Sequence, residues 1–193
     1  MEQVAAALYG LDLLFLLSFQ VLNRDQAAFA RPVSEYGLGR TARLFRVYLI
    51  AGCVAPLILA WQVHASGDPD FPALVTVYLG LVALGRLGIA IWKDDPHDAR
   101  RTPTGNLHRA AALLAFTCAF LTVVEVTPEL VALHEGARSV ADQLLKQVIS
   151  ASFLVVVVTI ASPLRPYFGL AERVFLWSTA LWFLLATLTL PPL

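Results

Sequence analysis

Hydrophobic residues in this chain gather into six long runs, and nearly all of the charge lies in the segments between them. The runs extend from Val4 to Leu22, Leu44 to Val63, Ala73 to Trp92, Leu107 to Val126, Leu144 to Ser162 and Val174 to Leu190. Each is close to the roughly 20 residues a helix needs to cross the hydrocarbon core of a bilayer. The apolar positions are continuous, whereas the strands of a membrane barrel alternate in polarity, so the pattern predicts helices whose backbone groups are paired internally. The expected fold is all-α: an integral membrane bundle of six transmembrane helices with short loops, forming one domain over residues 1–193.

Local signals refine this picture. Pro56 predicts a kink in the second span. Thr76, Gly80 and Ala83 make a small-residue strip along which another helix can approach closely, which places the third span inside the bundle. Thr127-Pro128-Glu129 reads as a helix start, with Thr as the cap and Pro at the first helical position. The mixture of Leu130, Val131 and Leu133 with His134, Glu135 and Arg138, continuing to Gln143, then suggests an interfacial helix before the fifth span. Ala28-Phe29-Ala30 has the form of a signal cleavage site. However, no Lys or Arg precedes Val4 and Asp12 interrupts the apolar run, so the first span is expected to be a permanent helix. No period-type repeat or low-complexity tract is present.

Composition agrees with the pattern: 58% of the residues are hydrophobic and only 15% charged, with a mean hydropathy of +0.70. Fourteen basic and fourteen acidic side chains balance, which removes any electrostatic reason to expect nucleic acid as a partner. Cys53 and Cys118 fall inside spans two and four, where each is read as a small polarizable hydrophobe. Membrane lipids are the partners the composition implies, and nothing in the pattern asks for a cofactor.

The charge is unevenly placed. Helices cross alternately, so the segments after spans one, three and five share one membrane face. They carry Arg24, Arg31, Arg40, Arg43, Arg46, Lys93, Arg100, Arg101, Arg109, Arg165 and Arg173. The opposite face has Arg138 and Lys146 among Asp68, Asp70, Glu129, Glu135 and Asp142. The positive-inside rule makes the basic face cytoplasmic and puts both termini outside.

The same face collects the polar motifs. The first of its loops reads Ser34-Glu35-Tyr36-Gly37 and continues to Arg40; the second holds Asp94, Asp95-Pro96, His97 and Thr102-Pro103-Thr104-Gly105-Asn106-Leu107-His108; the third ends in Gly169-Leu170-Ala171-Glu172-Arg173. With Trp182 in the last span, these three motifs make the chain resemble the bacterial membrane proteins catalogued as domain of unknown function 998, over essentially its whole length. The resemblance implies a six-helix integral membrane protein of the plasma membrane and brings no established activity. The chain differs from the family pattern in having Met1-Glu2-Gln3 and an acidic His64 to Asp70 segment where basic residues are expected.

Asp12 and Arg86 stand within spans. A lone charge near the bilayer centre costs at least about 2.5 kcal/mol, so such residues face the bundle and find partners. At 1.5 Å per residue, Asp12 lies about 15 Å and Arg86 about 9 Å below the motif face. A guanidinium reaching inward closes that gap, making either a structural ion pair or the floor of a polar cavity. His108 and Arg109 open the fourth span, where unpaired N–H groups favour anions. Arg40, Arg100, Arg101 and Arg173 add donors suited to a phosphate or carboxylate headgroup.

Three functions follow. The first is the binding or movement of a small anionic or lipid-like ligand by Asp12, Glu35, Tyr36, Arg40, Arg86, Arg101, His108, Arg109, Glu172 and Arg173. The second is a membrane-embedded hydrolase or transferase using His108 as base, Asp95 as its orienter and Ser34 as nucleophile. The third is a structural or assembly role. Asp94, Asp95, His97 and His108 raise the question of a metal, but their spacing matches no standard site and none is expected. His64 and His134 are taken as surface residues of the other face.

Overall fold

The computed structural model describes residues 2–23, 31–66, 73–96, 99–160 and 165–189. They form α1 (Glu2–Leu22), α2 (Ala42–Ser66), α3 (Ala73–Ile91), α4 (Pro103–Leu133), α5 (Ala137–Ile160) and α6 (Phe168–Thr187), with 3-10 turns at Val33–Gly37 and Arg165–Tyr167. All six helices are long and apolar enough to cross a membrane, and no strand occurs among the described residues. The Ala28-Phe29-Ala30 segment, His97 and Asp98 lie outside the described residues.

Each helix packs on its neighbour in sequence, α6 returns to α1, and α4 touches α6 across the interior. Every helix exposes aliphatic side chains, among them Leu14, Leu57, Leu84, Leu113, Leu154 and Leu181. In lipid such faces cost nothing, so close packing is what holds the helices together. The tightest approach lies between α3 and α4. A Cβ on Gly85 would come within 2.7 Å of the Ala111 carbonyl oxygen and 2.9 Å of the Ala115 nitrogen, and one on Gly88 within 2.7 Å of the Ala111 Cβ.

The expected strip of Thr76, Gly80 and Ala83 is therefore not the contact line, since a Cβ on Gly80 would meet nothing within 4 Å. The buried face of α3 runs through Val75, Leu79, Val82, Ala83, Gly85 and Ile89, so Ala83 of the strip lies on it while Gly80 falls beside it. Nor is α3 the inner helix: its Leu74, Val77, Leu84, Leu87 and Ile91 are exposed. The most enclosed helix is α6, which buries Phe175, Thr179, Trp182, Phe183 and Ala186.

Helix α4 overruns both ends expected for its span. Pro128 removes the N–H that would bond the Val124 carbonyl, and Lys146 of α5 supplies a donor to that oxygen at 3.5 Å, so the helix continues to Leu133. Gly136, at φ 59°, turns the chain directly into α5. Hence Thr127-Pro128-Glu129 does not start a separate interfacial helix. Those residues belong to α4, and Ala137 to Gln143 are the opening turns of α5. Pro56 likewise lies within an unbroken α2. Both cysteines are free thiols, Cys118 buried in the core and Cys53 donating to the Leu49 carbonyl at 3.1 Å.

Candidate functional site

The three motif segments meet at one end of the bundle. An aromatic cluster builds the seat for the first: Phe19 stacks on Tyr36 at 5.2 Å and packs on Phe45 at 5.7 Å and Tyr48 at 5.6 Å. Gly37 is needed there because a Cβ would lie 2.8 Å from the Phe45 ring. The first motif is then tied to the third. Val33 N–H donates to Glu172 Oε2 at 2.6 Å, and Arg173 donates to the Arg31 carbonyl at 2.8 Å and to the Tyr36 hydroxyl at 2.9 Å. It is tied to the second by Ser34, whose hydroxyl donates to Asp94 Oδ2 at 2.6 Å. The Gly169 to Arg173 motif is not a loop but the first turns of α6.

The second motif is a helix cap. Thr102 is the N-cap of α4 and Pro103 its first residue, with the Thr102 hydroxyl accepting from Gly105 N–H at 3.1 Å. Asp95 completes the cap by accepting from Thr102 N–H at 2.9 Å and from its hydroxyl at 2.7 Å. Gly105 is required because a Cβ on it would overlap the Asp95 carboxylate. His108 consequently sits in the second turn of α4 and does not open the helix, and the Thr102 and Gly105 N–H groups already have partners.

The Thr102 N–H and hydroxyl hold the Asp95 carboxyl below the usual carboxylate range, helped by Arg109 and His108. The stability this contributes is present above the ordinary carboxyl pKa and lost as pH falls through the depressed one. Gly105→Ala should displace Asp95, lower the thermal midpoint by several degrees and abolish that acid-dependent loss. An unsubstituted chain whose melting curve is the same at neutral and acid pH, or a variant that loses as much stability in acid as that chain does, would contradict it.

His108 is held from the other side. Its Nδ1 lies 2.8 Å from the Trp92 carbonyl, and since a carbonyl only accepts, Nδ1 carries a proton. Nε2 then faces Asp94 Oδ2 at 3.8 Å. The acid beside His108 is therefore Asp94 and not Asp95, and the Ser34 hydroxyl points to that carboxylate and not to the imidazole. The expected Ser34, His108 and Asp95 relay is not assembled in that form. Among the described residues no three His, Cys, Asp or Glu side chains converge as metal ligands.

Deeper in the membrane, Arg86 Nη1 donates to Asp12 Oδ2 at 2.7 Å. The guanidinium lies 4.8 Å from the Tyr48 ring centre and against Gly52, where any Cβ would overlap it. The pair floors an inner cavity of about 80 Å³ lined in part by Tyr9, Tyr48, Phe175, Thr179 and Phe183. A second space, a groove of about 170 Å³, runs between α4 and α5 beneath the first turn of α6. Asp94, Asp95, Arg101, Arg109 and Glu172 line its polar end, and Phe116, Phe153, Val156 and Ile160 its apolar wall. Ser34, His108 and Glu172 border both spaces.

The arginines divide by use. Arg40 donates to the Leu22 carbonyl and so closes the end of α1, while Arg173 serves the loop contacts above and the Gly169 carbonyl at 2.8 Å. Each therefore has part of its guanidinium committed to a backbone carbonyl. Arg109, 36% exposed, stays 3.8 Å from Asp94 and 3.9 Å from Asp95, and Arg101 is exposed at the groove. Glu35 is buried and lies 3.5 Å from Arg31. On the far face His64 is exposed. His134 is not a free surface residue: it bonds Asp142 at 2.6 Å, with Arg138 on the other carboxylate oxygen at 3.7 Å. Spacing across a helix break gave no sign of that contact.

Residues 6–189 match the model of a family described as Protein of unknown function (DUF998). No curated protein matches the chain, and neither does any solved structure. The match spans nearly the whole sequence, so the chain belongs to the DUF998 family.

Proposed function

We propose that this member of the DUF998 family binds, at the cytoplasmic leaflet, a lipid-like molecule with an anionic headgroup, seating the headgroup at Arg101 and Arg109 and the chain in the groove between α4 and α5. What carries the reading is the contrast between engaged acids and open cations at the groove's polar end. Both oxygens of Asp94 accept hydrogen bonds, from Asp95 N–H and the Ser34 hydroxyl. Both of Asp95 accept from Thr102, and Glu172 accepts from Val33. Among the described residues, Arg101 makes no hydrogen bond or ion pair, and Arg109 makes only its long contacts to Asp94 and Asp95. A planar guanidinium suits a phosphate or carboxylate, and the aromatic and aliphatic wall below suits an acyl chain. The excess of basic residues on this face supports the leaflet assigned.

The test uses the purified full chain and native mass spectrometry with dioleoylphosphatidylglycerol and dioleoylphosphatidylcholine, which differ in headgroup alone. The expected result is preferential retention of the anionic lipid, weakened about tenfold or more by Arg101→Gln with Arg109→Gln, since charged hydrogen bonds contribute about 1.5–3 kcal/mol each. The exposed Arg43, changed to Gln, should leave retention unaltered. Equal loss from both sets of variants would mean that interfacial charge alone attracts the lipid.

A further inference from the structure

The inner cavity holds hydrogen-bonding groups that the fold itself leaves unused. Asp12 Oδ1, the Tyr9 hydroxyl and the Thr179 hydroxyl are buried and have no hydrogen-bond partner among the described residues. Their residues are only 2%, 2% and 7% exposed, and all three line the same cavity. Leaving such groups unsatisfied in a membrane interior is costly, and three of them on residues that line one space is not an ordinary packing outcome. Tyr9 and Asp12 are three residues apart on α1 and therefore share a face. Thr179 sits one turn from Phe183, which stacks on Tyr9 at 5.1 Å.

The chemistry of the vacant partners defines the occupant. Asp12 is already neutralised through Oδ2 by Arg86, so the floor carries no net charge and does not favour an ion. Its remaining oxygen can only accept, whereas the two hydroxyls can donate or accept. Around them the wall is apolar, with Phe116, Ala119, Phe175 and Phe183. We infer that this cavity is a second binding site, distinct from the groove between α4 and α5, that takes the hydroxyl end of an uncharged amphiphile. The ligand hydroxyl donates to Asp12 Oδ1 and accepts from Tyr9 or Thr179, while its short apolar tail rests on the phenylalanines. Nothing in this inference depends on the headgroup seat at Arg101 and Arg109.

The probe is 3-azibutanol, a photoreactive short-chain alcohol suited to a space of about 80 Å³, compared with its methyl ether on the full chain in detergent. The alcohol should label peptides of α1 and α6 saturably and about tenfold more than the ether, which keeps the chain but loses the donor. Tyr9→Phe combined with Thr179→Val should weaken labelling by alcohol and ether alike, several-fold, with the alcohol still ahead because Asp12 Oδ1 remains to accept its proton. Because these changes delete only unpartnered hydroxyls, the thermal midpoint should stay equal or rise, so loss of labelling is separable from misfolding. Equal labelling by alcohol and ether, labelling confined to α4 and α5, or undiminished labelling of the double variant would each overturn the site. Non-saturable labelling with no competition by 1-butanol would assign the cavity to water alone and overturn it as well.

Discussion

Arg86→Ala is expected to destabilise the bundle by about 3–5 kcal/mol, the range seen when one partner of a buried ion pair is removed. The variant leaves Asp12, 2% exposed, facing an apolar cavity without the guanidinium that bonds it at 2.7 Å. It also empties the space over Gly52 and strips the cation from the Tyr48 ring. Arg43→Ala, on an exposed position, should stay within about 0.5 kcal/mol. Arg138 is a poor control because it donates to the Leu185 carbonyl at 3.1 Å and the Thr189 hydroxyl at 3.0 Å. Combining Asp12→Leu with Arg86→Met should recover most of the loss, since apolar replacements of similar volume often match a buried pair. Denaturation curves in detergent would decide it. An Arg86→Ala midpoint equal to that of Arg43→Ala would show that the pair contributes nothing.

Arg173→Ala should be nearly as damaging, on the order of 3 kcal/mol, because a buried cation leaves three acceptors at once. Those acceptors are the Arg31 and Gly169 carbonyls and the Tyr36 hydroxyl. The loss should be local in character. Hydrogen exchange is expected to rise across residues 31–38 and the first turns of α6, while the α3 and α4 contact around Gly85 keeps its protection. Uniform exchange across the whole chain, or none gained at the Val33–Gly37 turn, would mean that Arg173 does not tie the first motif to the third.

The helices were readable from run length because lipid imposes one rule on every backbone polar group, and six apolar runs satisfy it in one way. The meeting of Asp12 with Arg86 was readable for a related reason: a charge at that depth must find a partner. What escaped the sequence was decided by contacts across the bundle. Helix α4 passes Pro128 because Lys146, 18 residues further on, reaches the orphaned Val124 carbonyl, and no local signal reports that. The choice of Asp94 over Asp95 beside His108 turns on the Thr102 cap, which occupies both oxygens of Asp95. Residue type made Arg40, Arg101, Arg109 and Arg173 equal candidates for an anion. Only geometry separates the two that brace carbonyls from the two that face the groove.

Ser34, His108 and Glu172 border the groove on one side and the inner cavity on the other, so the two chambers share a partition a single layer of side chains thick. Thermodynamic reciprocity then applies to that wall. If an occupant of the outer chamber changes inner affinity through the His108 ring or the Ser34 hydroxyl, an occupant of the inner chamber must change outer affinity by the same factor. Coupling of this kind needs no helix to move.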